Sequence, residues 1–392
     1  MARPTPRRRP GALALVLQLS ALSALAALAC SSRHDREGGA AAEGAPGALP
    51  VVERGPAPPD ARALGHAPDE RAATGQVTPA SLPAGGAAAV EIRVSAVGDC
   101  ALGDIRQGSG APGTFSAKIR ELGEDLAYPF SAVAPIFAED DLTIANLEGT
   151  LTRETRHQNP VFAVRGKPEY AGMLRLGGVE LVNLANNHSG DYGPSGYAET
   201  ERALETAGVG HFGNGRVDRR RVKGVDVVNI GYLGGPKGTR EAVVRDIQRE
   251  KQQGGIVIVS FHWGIETYEQ AAPDQIRLGR AAIDAGADLV LGHHPHVLQG
   301  IETYRGRHIA YSLGNFVFGA NGKPGDLDSI VYQERFVVRD GKVTSVESSH
   351  LPVRISGDPR ANDFRPVLLE GDEAERVRQK VAKRSAALRA KR

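Results

Sequence analysis

Five short apolar runs in this chain each stop at a cluster of amide, imidazole or carboxylate side chains. The central run, Val179 to Ala185, ends in Asn186-Asn187-His188-Ser189-Gly190-Asp191. Ile92 to Val97 ends in Gly98-Asp99 and Leu142 to Ala145 in Asn146-Leu147-Glu148. Ile256 to Ser260 runs through Phe261 into His262-Trp263-Gly264, and Leu289 to Leu291 ends in Gly292-His293-His294-Pro295-His296. Runs this short and apolar read as buried strands of an α/β fold. Open α/β sheets place their sites in the crevice beyond the carboxyl ends of the strands, where short loops hold polar groups on a rigid support. Aspartate, glutamate and histidine are costly to gather beside a core unless something pairs them, so five such strand ends point to a metal centre.

Helical patterns separate the strands. Pro168 opens a helix through Met173 and Leu176 that Gly177-Gly178 closes. Further helices are read after Gly193, over Thr239 to Gln253 and over Pro273 to Ala285, and further strands over Val225 to Ile230 and His308 to Ser312. With no composition break between them, these segments read as one large α/β domain from about Val90 to Glu370. Beyond Phe316 the runs Ile330 to Val338 and Lys342 to Glu347 flank Asp340-Gly341, a hairpin signal. The last stretch, 371–392, reads as a basic helix with Val377, Val381 and Leu388 on one side, its lysines and arginines forming a solvated face.

The front of the chain is of another kind. Arg3, Arg7, Arg8 and Arg9 precede an apolar run from about Gly11 to Ala29 that reaches Cys30, the pattern of a secretory signal over 1–30. The ending Leu25 to Cys30 resembles a bacterial lipoprotein processing site, with Cys30 as the lipidated residue. An ordinary cleaved signal and an uncleaved single anchor are the other readings of the same run. Residues 31–89, dominated by alanine, glycine and proline without periodicity, read as a disordered tether. Cys100 is then the one remaining thiol, so no disulfide within the chain is expected, and at a buried strand end it reads as a small hydrophobe. A net charge of +2 over 392 residues gives no reason to expect a nucleic-acid partner.

Five segments together form a specific signature: Asp141 to Gly149, Leu184 to Gly193, His262 to Glu266, Gly292 to Gln299 and Ser312 to Phe316. With these the chain, from about Ile92 to Phe318, resembles the CapA family of bacterial poly-γ-glutamate capsule biosynthesis proteins, whose fold is similar to that of calcineurin-like metallophosphoesterases. The resemblance implies a four-layer αββα sandwich of two mixed sheets between helices, with two metal positions at one edge. It implies Asp99, Glu148, Asn187, His262, His294 and His296 as ligands, Glu148 standing where the superfamily has a bridging aspartate. His188 would be the imidazole that protonates a leaving group. Where ordinary metallophosphoesterases carry a histidine two residues after the first aspartate, this chain has Ala101.

One or two divalent ions (manganese, iron or zinc) are the implied cofactors, and such a centre can attack a phosphorus or an amide carbonyl. Asn146, Asp191, Trp263, Glu266 and Asn315 are read as groups that face substrate or steady the ligands, and His293 as an additional neighbour with a structural role. The implied function is that of an exported, membrane-anchored metallohydrolase in the synthesis, processing or export of a capsular polymer. Its partners would be an anionic cell-envelope polymer or precursor and capsule synthase or export components. The alternative is an accessory lipoprotein that binds the polymer without catalysis.

Overall fold

A computed structural model describes residues 88–105, 109–158, 161–234 and 239–389. The expectations for the signal, for Cys30 and for most of the tether concern residues outside these.

Two mixed sheets lie face to face. The first runs in the order Val367–Leu368, Lys342–Arg354, Asp328–Arg339, Val90–Ala101, Leu142–Leu147, Leu181–Asn183, Gly210–Phe212, with Asn315–Phe318 parallel to the end of Val90–Ala101. The second runs Ile301–Tyr304, Arg307–Ala310, Leu289–His293, Ile256–His262, Val225–Leu233, Asp218–Val222. The first is antiparallel from its Val367–Leu368 edge to Val90–Ala101 and parallel from there to Gly210–Phe212, and the second has a parallel centre with an antiparallel strand at each edge.

Alternation along the strands decides which layer each residue serves. Ile92, Val94, Leu142, Ile144 and Leu181 of the first sheet meet Val227, Ile256, Ile258, Leu289 and Leu291 of the second in a core between the sheets. Their neighbours turn outward. Val97, Ala145, Leu147 and Val182 pack under the helices Phe115–Glu121, Ala171–Leu176 and Gly193–Ala207. On the far side Val257, Val259, Phe261 and Val290 pack under Thr239–Lys251 and Pro273–Ala285. The result is the four-layer αββα sandwich of two mixed sheets. The hairpin is present, with Asp340 and Gly341 at φ 49° and 69° and Arg339 paired to Lys342, as a two-residue turn with left-handed central residues requires.

The C-terminal helix, Gly371–Arg389, differs from its expected solvated face. Ala374, Val377 and Val381 enter the core between the sheets and Leu388 the outer one. Its cations are used as well. Arg376 donates to both oxygens of Asp328 at 2.6 and 2.7 Å, Lys380 reaches Asp326 at 3.0 Å and also Asp328, and buried Arg384 reaches Glu269 at 2.8 Å. Partners so distant in the chain leave no trace in the helix's own pattern. Burial pushes the Asp328 carboxyl up, but Arg376 and Lys380 outweigh it and hold it below its ordinary value. This link therefore stabilises the fold at neutral pH and is lost as pH falls through the lowered value. Val377→Ala, at a fully buried position, is expected to cost about 2 kcal/mol, read as a lower urea midpoint at unchanged slope.

Candidate metal centre and cleft

The strand ends meet at one edge of the sandwich. Asp99, Asn146 and Asn183 are register partners across three parallel strands of the first sheet, and His262 and His293 are partners in the second. Gly98 is needed because the Leu313–Gly314 backbone crosses there: a Cβ would lie 2.1 Å from the Gly314 carbonyl oxygen, which accepts from the Asp99 N–H at 2.9 Å.

A directed chain of amides orders this edge. The Ala185 N–H donates to Asn183 Oδ1 at 3.1 Å, Asn183 Nδ2 to Asn146 Oδ1 at 2.9 Å, and Asn146 Nδ2 to Asp99 Oδ1 at 2.8 Å. Asn146 Nδ2 also lies 3.1 Å from His262 Nδ1. Asn146 is fully buried, so of its two readings the structure favours steadying the ligands over facing substrate. Asp99 Oδ2 accepts from the His294 N–H at 3.1 Å and lies 3.2 Å from His296 Nδ1. Burial pushes the Asp99 carboxyl up, yet His293 and His296 hold it well below its ordinary value.

Glu148 is the anomaly of the site. It is buried and neither carboxylate oxygen has a hydrogen-bond partner, although Oε1 lies 3.4 Å from His262 Nε2 and 3.7 Å from His296 Nε2. Burial raises its pKa, but the charges of His296 and His262 outweigh that and lower it. A buried ionised carboxylate with free lone pairs is the arrangement a cation relieves. Two donor groups share it, Glu148 with His262 and His294, and Asp99 with Glu148 and His296, each set within 4.8 Å. Asn187 Oδ1 lies 2.6 Å from His262 Nε2, so the amide joins the first group. This oxygen and imidazole set fits a divalent metal.

His294 and His296 have φ values of 94° and 57°, a left-handed backbone that non-glycine residues rarely adopt and that functional sites hold at a cost. Burial and nearby His262 push the His294 imidazole down to about 4, leaving it neutral with a lone pair to give. Burial works the same way on His296, but Glu148 and Asp99 overcome it and raise that ring to about 10.

Asn186 and Asn187 divide the work of their loop. Buried Asn186 donates to the Leu147 carbonyl at 2.8 Å and accepts the His188 N–H at 3.1 Å, which aims the exposed Asn187 at the centre. His188 Nδ1 lies 2.8 Å from Asp191 Oδ2, and that oxygen also accepts the Val164 N–H at 2.7 Å. Asp191 therefore steadies His188 rather than merely closing a turn. Burial alone would lower the His188 pKa, but the Asp191 hydrogen bond and the Glu148 charge hold it above its ordinary value.

Two residues lie where the sequence alone did not put them. Trp263 follows His262, the last residue of its strand, and turns to the opposite face. Its indole stacks on Phe261 at 4.4 Å, donates to the Tyr311 carbonyl at 2.9 Å and belongs to the outer core, so it does not face substrate. His293, expected to be structural, lies on the inner face with Leu289 and Leu291, fully buried, with Nδ1 3.5 Å from Asp99 Oδ1 and neither ring nitrogen hydrogen-bonded. Period-two alternation from Leu289 was the signal that finds it. Asn183 was likewise a strand residue in the sequence and is a member of the amide chain here.

The remaining residues surround the candidate ligands. Asn315 Oδ1 lies 2.9 Å from His296 Nδ1 and its Nδ2 donates to the His296 carbonyl at 3.3 Å, so it fixes that ring. Glu266 is exposed, within 4.8 Å of donor atoms on His294 and His296. Ala101 packs with Val164 and Phe318, and the Phe318 ring lies 5.0 Å from His296, so an apolar wall stands near Asp99. Cys100 is buried and its thiol is pushed up to about 12, which suits the small-hydrophobe reading. Among the described residues no helix is long and apolar enough to cross a membrane.

Comparison with known proteins gives the chain its relatives. The chain is 31% identical over 220 residues to "Capsule biosynthesis protein CapA" of Bacillus anthracis, covering 49% of this chain and 54% of that one. It is 32% identical over 213 residues to "PGA biosynthesis protein CapA" of Bacillus subtilis (strain 168), covering 48% and 56%. A "Probable polyglutamine synthesis accessory protein" of Mycobacterium tuberculosis is 30% identical over 212 residues, covering 45% and 55%. The chain thus spans about half the length of the relatives it matches. Residues 93–320, more than half of the chain and every ligand candidate above, match the family model described as bacterial capsule synthesis protein PGA_cap, and the chain belongs to that family.

Proposed function

We propose that this protein is an exported metal-dependent hydrolase that acts on a capsular polymer of the poly-γ-glutamate type, or on its precursor, during synthesis, processing or export. The observation that carries the reading is Glu148, a buried carboxylate without hydrogen bonds at the junction of two donor groups. Asn187, His262 and His294 would hold one ion and Asp99 and His296 a second, with Glu148 between them, the ions being manganese, iron or zinc. A metal bound there supplies an acidified water and stabilises charge on the reacting oxygens. The chain's own residues do the rest. Asn146 and Asn315 fix the ligands, and His188, held by Asp191, carries the proton for the leaving group. The relatives' names support the capsular polymer. The apolar run ending at Cys30 supports export and a lipid anchor, and the relatives' names suggest a capsule synthase or exporter as the partner there.

A non-catalytic accessory role is the second reading. Ala101, in an apolar wall where related phosphoesterases carry a histidine, favours it, as does the "accessory" in one relative's name. The test is the metal content of the full-length protein beside a Glu148→Ala, His294→Ala double variant, followed by turnover of poly-γ-glutamate and phosphate esters. Stoichiometric metal lost in the variant, with turnover, is the expected result. A metal-free protein that still restores capsule in a deletion strain would establish the accessory role instead.

A further inference from the structure

A cleft of about 550 Å³ opens on the centre, with His296 and Asn315 in its wall beside Val297, Phe318, Glu266 and Lys380. Its charges decide what can lie in it. Two of its three carboxylates are already paired: Glu269 with Arg384 at 2.8 Å, and Asp326 with Lys380 at 3.0 Å. Among the described lining residues the cations are Lys380, which is also bound to Asp328 and has no charge to spare for an anion, and the His296 ring, which Asp99 and Glu148 already face. Glu266 is left. It is exposed, has no lysine or arginine partner among the described residues, and lies within 4.8 Å of donor atoms on His294 and His296.

A carboxylate at that place works against one of the two substrate classes open to the centre. A phosphate monoester or free phosphate brings up to two negative charges to the same ligands, and like charges a few ångströms apart in a partly enclosed cleft repel strongly. An amide is uncharged at the scissile bond and its N–H donates to a carboxylate. The apolar wall of Val297 and Phe318 suits the two methylene groups on the carbonyl side of a γ-glutamyl bond. Resting on the metallohydrolase reading above, we propose that the cleft selects an amide over a phosphate ester, with Glu266 accepting a hydrogen bond from the substrate's N–H. In the reaction the water oxygen forms the new C–O bond and the C–N bond breaks. The leaving nitrogen takes its proton from His188, and the water's proton restores it.

The test uses the full-length, manganese-loaded protein and its Glu266→Gln variant, with inorganic phosphate as a binding probe by calorimetry and two substrates, a γ-glutamyl oligomer and 4-nitrophenyl phosphate. Glu266→Gln is expected to bind phosphate at least tenfold more tightly. It should lose about tenfold or more in kcat/KM on the amide, with metal stoichiometry and melting temperature unchanged. A Glu266→Gln variant with unaltered phosphate affinity, beside a wild type that turns over substrate, overturns this inference alone. Loss of metal from the variant also overturns it, since the carboxylate is then a ligand. A metal-loaded wild type that cleaves neither substrate overturns the hydrolase reading and the amide with it.

Discussion

Glu148→Gln is expected to abolish the metal response of the fold. Glutamine keeps the side chain's volume, so no cavity is opened, but it removes the charge and one acceptor oxygen at the point where the two donor groups meet. For the native chain, manganese at a hundred times its dissociation constant should add about 2.7 kcal/mol of stability, seen as a rise in melting temperature of about 5 °C. The same addition should move the variant by less than about 1 °C, and its turnover should fall by about a thousandfold or more. Calorimetric melts with manganese and with a chelator check this. A variant that keeps the native rise would remove Glu148 from the centre.

How much of this was legible in the sequence depends on how local each feature is. Strand ends were readable because apolar runs and their polar stops are contiguous, and from Asp99, Glu148, Asn187, His262, His294 and His296 the edge of the sandwich follows. The Asp340-Gly341 turn was readable for the same reason, two residues fixing their own backbone. Trp263 was read as facing the site because its neighbour in sequence is a candidate ligand, whereas adjacent residues of an extended chain turn to opposite faces. The same alternation puts His293 on the inner face beside Asp99, which its place next to His294 in the sequence does not show.

What the sequence did not carry were partnerships across long separations. The pairing of Arg376 with Asp328, Lys380 with Asp326 and Arg384 with Glu269 joins the last helix to a cleft built from loops far earlier in the chain. Read alone, that helix is only amphipathic and basic. The amide chain from Ala185 through Asn183 and Asn146 to Asp99 is similar, since each residue looks like an ordinary strand end until register sets them side by side.

Asp191→Asn is expected to separate proton transfer from metal binding. The substitution preserves the shape and an oxygen for the Val164 N–H, but removes the charge that holds the His188 pKa up. A general acid works only while protonated, so activity falls as pH rises through its pKa. Lowering that pKa moves the fall to lower pH. The variant should therefore show an alkaline limb of kcat/KM displaced to lower pH and a kcat at pH 8 reduced by about 100-fold. Metal stoichiometry should not change, because neither Asp191 nor His188 belongs to the donor groups around Glu148. The defect should also shrink with a substrate whose leaving group is a weak base, because that bond breaks without a proton. Rate measurements on a series of leaving groups across pH decide the matter. A loss that is uniform across pH and indifferent to the leaving group would mean that Asp191 supports the Val164 loop and that His188 is not the acid.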